Sequence, residues 1–238
     1  MNTARSLVFY LGFGIWTIFW GTVSLLFAFL PRKQRYWFAQ MWARVSIAWL
    51  ALSCGIRHRV TGLEHLSGRP VVILSNHQSA WETIAFLTIF PRFAYVLKQE
   101  LFRIPFFGWA LQLFWPIGID REAGRDAARQ VLEQGQKRLD AGVSVLVFPE
   151  GTRQPAHQLG RFASTGAGLA VKAGSDLVPV AHNAGQFWPR TEWRKYPGVI
   201  EVRVGPPLSC QGKTAIVLNR EAQSWISHQL KDMQQGCR

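Results

Sequence analysis

Residues 7–30 carry no Asp, Glu, Lys, Arg or His. At ~1.5 Å per helical residue such a run reaches about 36 Å, enough for the ~30 Å hydrocarbon core of a bilayer. A chain that opens this way must bury the helix in protein or place it in lipid. Trp16, Trp20 and several glycines suit a membrane helix. The run is too long for the apolar part of a signal peptide, and no small-residue cleavage site follows it. Arg5 precedes it, whereas Arg32, Lys33 and Arg35 follow. The positive-inside rule then puts the rest of the chain in the cytoplasm, at the inner membrane of a cell. Pro31 is expected to stop the helix.

A second helix is expected over Tyr36–Ile56, rich in Trp37, Trp42 and Trp49 with Arg44 embedded. It suits an in-plane or shallowly inserted position better than a span. No acidic residue occurs before Glu64, while Arg5, Arg32, Lys33, Arg35, Arg44, Arg57 and Arg59 all do. That pattern fits a surface resting on anionic headgroups. A core hairpin with snorkelling arginines is the competing reading. The 238 residues suffice for one sizeable domain plus a membrane element. The expected division is a membrane-associating helix pair over 1–58 and a catalytic domain over 59–238. Only 17% of residues are charged, and the net charge is +13. An acidic partner is therefore expected: anionic lipid, an acidic protein or nucleic acid. Nucleic acid is set aside, because the basic residues sit beside the apolar segment and no nucleic-acid motif occurs. Cys54, Cys210 and Cys237 form no CxxC pair and read as inert thiols of a reducing compartment.

After Gly62 the pattern alternates. Val71–Leu74, Phe93–Leu97, Val143–Phe148 and Leu177–Ala181 read as strands. Thr83–Phe90, Ala127–Leu139, Gly166–Ala173 and Lys213–Met233 read as helices, and Val199–Val204 as an outer strand. Apolar strands alternating with helices predict an α/β fold, a mostly parallel central sheet covered by helices, preceded by the hydrophobic helix pair.

The chemistry sits where these strands end. Ser75-Asn76-His77-Gln78-Ser79-Ala80-Trp81-Glu82 joins a strand to a helix, a usual ligand position in open α/β sheets. Two readings of Glu82 stand side by side. With His77 in the turn and Glu82 in the first helical turns, the carboxylate can hold one ring nitrogen and make the other a general base. Equally, Ser79 and Glu82 have the spacing of a capping box, which is purely structural. Phe148-Pro149-Glu150-Gly151-Thr152-Arg153 follows another strand. Gly151 lets backbone N–H groups approach a ligand, Thr152 offers a hydroxyl, and Arg153 offers a fork suited to phosphate. Glu150 is expected to hold that arginine or a substrate hydroxyl. The same letters also make an ordinary turn. Lys98 and Arg121 lie in a third cluster, where solvated cations are the plain alternative. His182, after Val178-Pro179-Val180, reads as structural.

Taken together, the set resembles the lysophosphatidic acid acyltransferases, the 1-acyl-glycerol-3-phosphate O-acyltransferases of the wider glycerolipid acyltransferase family. Asn76-His77-Gln78-Ser79 with Glu82 is similar to that family's first block. Lys98, Ile104-Pro105, Gly108 and Ile119-Asp120-Arg121 are similar to the second. Phe148–Arg153 is similar to the third and Val178-Pro179-Val180 to the fourth. The resemblance implies transfer of an acyl chain from a thioester, on acyl carrier protein or coenzyme A, to the free sn-2 hydroxyl of lysophosphatidic acid. It implies His77 as base and Glu82 as its partner. Asn76, Lys98, Arg121, Glu150, Gly151, Thr152 and Arg153 would bind substrate, with membrane phospholipids alongside and neither metal nor cofactor. The oxyanion would be met by backbone N–H groups near the helix start after His77. Glycerol 3-phosphate or another lysolipid as acceptor, or water in a thioesterase-like hydrolase, would use the same base. Glu82 departs from the family's usual aspartate, and Arg161–Gly166 lacks a lysine common there, which Arg161 would replace.

Overall fold

The structure, a computed structural model, describes residues 2–66, 68–120 and 123–235. It opens with helices α1 (Asn2–Leu26) and α2 (Arg32–Cys54). There follow β1 (Ile56–Thr61), β2 (Val72–Ser75), α3 (Trp81–Ile89), β3 (Phe93–Lys98), α4 (Phe107–Gln112) and β4 (Ile117–Ile119). The chain ends with α5 (Arg125–Asp140), β5 (Ser144–Val147), α6 (Thr165–Ala173), β6 (Leu177–His182), β7 (Gly198–Val204) and α7 (Ala215–Gln235).

The seven strands form one sheet in the order β1-β7-β6-β2-β5-β3-β4. The five strands from β6 to β4 are mutually parallel. β7 runs antiparallel to β6, and β1 runs parallel to β7. The sequence placed 199–204 at the rim, but β1 covers β7 and is itself the edge. β1 went unread because Ile56-Arg57-His58-Arg59 buries only one side and carries two exposed arginines, as befits an edge strand.

Alternation along β2 separates two cores. Ile73 packs with α2 and α3 in one layer, whereas Val72 and Leu74 pack with α5, α6 and α7 in the other. The sheet is therefore covered on both faces, which is why β2, β5 and β6 read as near-continuous apolar runs. Residues of α1 and α2 (Phe9, Tyr36, Ala43, Leu50) belong to the same core as Trp81, Phe86 and Phe148 beneath the sheet ends.

The two N-terminal helices are stitched together by indoles. Trp16 and Trp20 donate to the carbonyls of Trp42 and Phe38, at 3.1 and 2.7 Å. Trp42 donates to Thr17 Oγ1 and Trp49 to the Phe9 carbonyl, both at 3.1 Å. Polar N–H groups thus face inward, while Leu7, Leu11, Ile15, Ile18 and Phe19 form an exposed stripe at helical spacing. α1 ends at Leu26, before Pro31. Pro31 instead begins α2: its φ of −55° is preset for a helix entrance, and its carbonyl accepts from Gln34 and Arg35 N–H.

α4 packs on α1 and on the 3₁₀ turn Gln99–Arg103. A β-carbon at Gly108 would lie 2.2 Å from the Leu101 carbonyl oxygen and 2.8 Å from that of Phe102. These are backbone atoms and cannot yield. Gly108→Ala is expected to cost about 2 kcal/mol through overpacking, read as a lowered denaturation midpoint.

Candidate active site

Parallel pairing brings the C-terminal ends of β6, β2, β5, β3 and β4 to one edge of the sheet. The segments after β2 and β5 are neighbours, with the end of β6 on the other side of β2. His77, the Phe148–Arg153 loop and His182 are thereby gathered. Lys98, at the exposed end of β3, stands two strands from β2, roughly 10 Å along the sheet. Arg121 lies outside the described residues.

The His77 pairing is formed, and of the capping box only the Glu82 half: the N-cap is Ala80, and Ser79 does not reach the Glu82 N–H. Its Oε1 is 2.8 Å from His77 Nδ1 and accepts the N–H groups of Gln78 and Ser79, each at 2.8 Å. Ser79 Oγ accepts the Trp81 N–H at 3.1 Å. A single oxygen therefore orients the imidazole and closes the start of α3. The longer side chain of glutamate reaches His77 at hydrogen-bond distance. Three amides at this helix start serve Glu82 and Ser79, so Gln78, Ser79 and Trp81 are not the oxyanion donors the sequence suggested.

Glu82 is fully buried. Burial pushes its carboxyl up. The nearby His182, then the His77 ring and the Ser79 N–H, pull it down further than burial raises it. Burial itself holds His182 below its ordinary value. His182 Nε2 lies 2.8 Å from the Asn76 carbonyl, and its Nδ1 accepts the Ala184 N–H at 3.3 Å, the bonding of a neutral ring. Glu82 Oε1 thus has the His77 ring and two amides as its hydrogen-bond partners, with the His182 ring 3.8 Å away. With Glu82 taking the Nδ1 proton side, His77 Nε2 is left as the basic nitrogen. The ring stacks on Phe148 at 4.3 Å and 17°, which fixes its plane.

Asn76, expected to bind substrate, is fully buried with its side chain bonded to backbone. Its Nδ2 donates to the His182 carbonyl at 2.9 Å and its Oδ1 accepts the His182 N–H at 3.0 Å. It locks the end of β2 to the end of β6. Glu150 was assigned to an arginine or a substrate hydroxyl, yet both its oxygens hold backbone. Oε2 accepts the His77 N–H at 2.6 Å and Oε1 the Gly160 N–H at 2.7 Å. The Gln154 N–H returns to the His77 carbonyl at 2.7 Å. His77 is thus clamped through its main chain by the loop after β5. Gly151 sits at φ +69°, and its N–H closes a turn on the Phe148 carbonyl. That use of the amide is local rather than directed at a ligand. Thr152 is exposed and Arg153 half-buried, and Arg153 has no ion pair among the described residues. These two, with Lys98, remain available to an anion.

Burial pushes the Glu150 carboxyl up to about 7, against the pull of the Gly160 and His77 N–H groups. The folded chain then binds this proton more tightly than the unfolded one, whose carboxyl keeps its ordinary value of 4.5. Stability is therefore expected to fall as pH rises from about 4.5 to 7, by at most about 3 kcal/mol from this group. Glu150→Gln should lose that slope and start from a lower melting temperature, since its amide would face an N–H donor. Melting curves between about pH 5 and 8 check this; parallel slopes for both proteins would assign the titration elsewhere.

A buried carboxylate holding one nitrogen of a nearly buried imidazole, at the mouth of a parallel sheet, is an arrangement suited to general-base chemistry. The Acyltransferase family model matches residues 57–183, more than half of the chain. The chain belongs to that family and is an acyltransferase. It is 44% identical over 98% of its length to a 1-acyl-sn-glycerol-3-phosphate acyltransferase of Pseudomonas aeruginosa, covering 93% of that protein. It is 36% identical to human 1-acyl-sn-glycerol-3-phosphate acyltransferase alpha over 67% of this chain and 58% of the human one. The crystal structure of the 1-acyl-sn-glycerophosphate (LPA) acyltransferase PlsC from Thermotoga maritima superposes with a TM-score of 0.82. It covers 98% of this chain and 96% of that one at 24% identity, a likeness of fold.

Proposed function

We propose that this chain transfers an acyl group from a thioester to the sn-2 hydroxyl of lysophosphatidic acid, giving phosphatidic acid. The observation that carries the reading is the 2.8 Å His77–Glu82 pair in a chain 44% identical to a 1-acyl-sn-glycerol-3-phosphate acyltransferase. His77 Nε2 takes the proton of the acceptor hydroxyl while Glu82 stabilises the imidazolium. The oxygen attacks the thioester carbonyl, and the tetrahedral intermediate collapses. The sulfur leaves as thiol with the proton returned by His77. Acyl carrier protein or coenzyme A is the co-substrate thiol, and neither a metal nor a further cofactor enters a step. Arg153, Thr152 and Lys98 face the acceptor's phosphate, with Arg121 in the same role.

The helix pair ending at Cys54 holds the enzyme at the membrane, and the sheet domain, which starts with β1 at Ile56 rather than at residue 59, carries the chemistry. The exposed stripe of α1 continues onto Ile104, Phe106 and Trp109 beside α4, a surface suited to entering lipid side-on. Arg32, Lys33 and Arg44, all exposed on α2, supply contacts to anionic headgroups at the cytoplasmic face of the inner membrane. Phospholipid and lysolipid are the partners in this reading, and nucleic acid is not. An acceptor panel tests it. Thiol release should require lysophosphatidic acid and be weak with glycerol 3-phosphate or uncharged lysolipids; equal release with all of them, or with none added, would sink the reading.

A further inference from the structure

Lys195 is 1% exposed, and no carboxylate pairs with it among the described residues. Its Nζ lies 3.8 Å from the ring centre of Tyr10, 4.3 Å from that of Trp188 and 5.6 Å from that of Phe9. It donates to the Trp193 carbonyl at 2.7 Å and to the Tyr10 hydroxyl. The backbone N–H of Lys195 donates to Ser6 Oγ at 2.9 Å. A buried ammonium without a counter-ion is costly, and this one is held by aromatic faces and lone pairs instead. Burial pushes it down to about 8.

The partners have a meaning in the sequence. Ser6, Phe9 and Tyr10 fall at i, i+3 and i+4, one face of the first turns of α1. Lys195 and Trp188 belong to the segment between β6 and β7. That segment leaves His182 beside the dyad, and its Arg190 Nη1 donates to the Arg153 carbonyl in the loop after β5. One residue therefore ties the apolar helix to a segment that grips the site at two places.

We propose that Lys195 is a positioning residue: its cage fixes α1 to the β6–β7 segment, so that the His77–Arg153 site stands at a set depth for an acceptor held in a lipid surface. The inference rests on the lipid-acceptor reading above. Its test compares two acceptors, long-chain lysophosphatidic acid in anionic vesicles and a short-chain, monomeric lysophosphatidic acid. Lys195→Met keeps the volume and removes the charge. It is expected to raise KM for the vesicle-held acceptor about tenfold, the scale of a desolvated cation–π contact. On the monomeric acceptor, kcat and KM should stay within about twofold. Amide hydrogen exchange in residues 2–12 should quicken. Tyr10→Leu, which strips one wall of a cage at a half-exposed position, should shift the same KM in the same direction and serves if Lys195→Met does not fold. Unchanged vesicle KM with unchanged exchange would overturn the proposal, as would equal loss on both acceptors. Wild type inactive on both acceptors would instead refute the functional reading, and the exchange arm would still decide whether Lys195 holds α1.

Discussion

Glu82→Gln is expected to lower kcat/KM about a thousandfold while the protein stays folded. The geometry makes this substitution informative. Oε1 is pinned by the Gln78 and Ser79 N–H groups, so an amide oxygen takes its place. Oε2 is buried without a hydrogen-bond partner among the described residues, so an amide nitrogen of nearly the same size faces no donor there. Glutamine therefore keeps the start of α3 closed and keeps an acceptor for His77 Nδ1. What it removes is the negative charge 2.8 Å from a ring that becomes positive during catalysis. At an effective dielectric near 20 that charge is worth several kcal/mol, which sets the size of the effect. Glu82→Asp keeps the charge but draws it back by one methylene, and its rate should fall between the two. Activity of the glutamine variant within about tenfold of wild type would leave Glu82 as a helix-start acceptor alone.

His77→Ala should lower transfer by about a thousandfold or more, the scale of a removed general base, with only a modest fall in melting temperature. The stability half of this expectation follows from where the residue is held. Its N–H to Glu150 and its carbonyl to Gln154 are main-chain bonds that alanine preserves. Glu82 keeps two of its donors. The ring itself is nearly buried and stacks on Phe148, so its removal costs that packing. A large loss of stability with activity retained per folded molecule would reverse the assignment.

The strands that carry the site were legible because both their faces are buried. Val72–Ser75, Ser144–Val147 and Leu177–His182 read as apolar runs, and polar residues after each marked the active edge. The short β4 and the half-exposed β1 gave no comparable pattern. At Glu82, spacing alone allows a cap or a dyad, whereas in the fold one oxygen meets both the His77 ring and the amides of Gln78 and Ser79. The backbone partners of Asn76 and Glu150 are not legible in the sequence, for one reason. Their partners, His182 and Gly160, lie 106 and 10 residues away, and a polar residue beside a catalytic one looks like a ligand contact until those partners are seen. The Lys195 cage was invisible for the same reason: it is assembled from residues 9, 10, 188 and 195.

The most direct test of the account is a product balance. Purified protein in anionic vesicles is given a long-chain acyl thioester and lysophosphatidic acid. Released thiol and newly formed phosphatidic acid are counted together. One phosphatidic acid per thiol is expected, both lost with His77→Ala. Thiol released with free fatty acid in place of phosphatidic acid would contradict it and make the His77–Glu82 pair the base of a hydrolase.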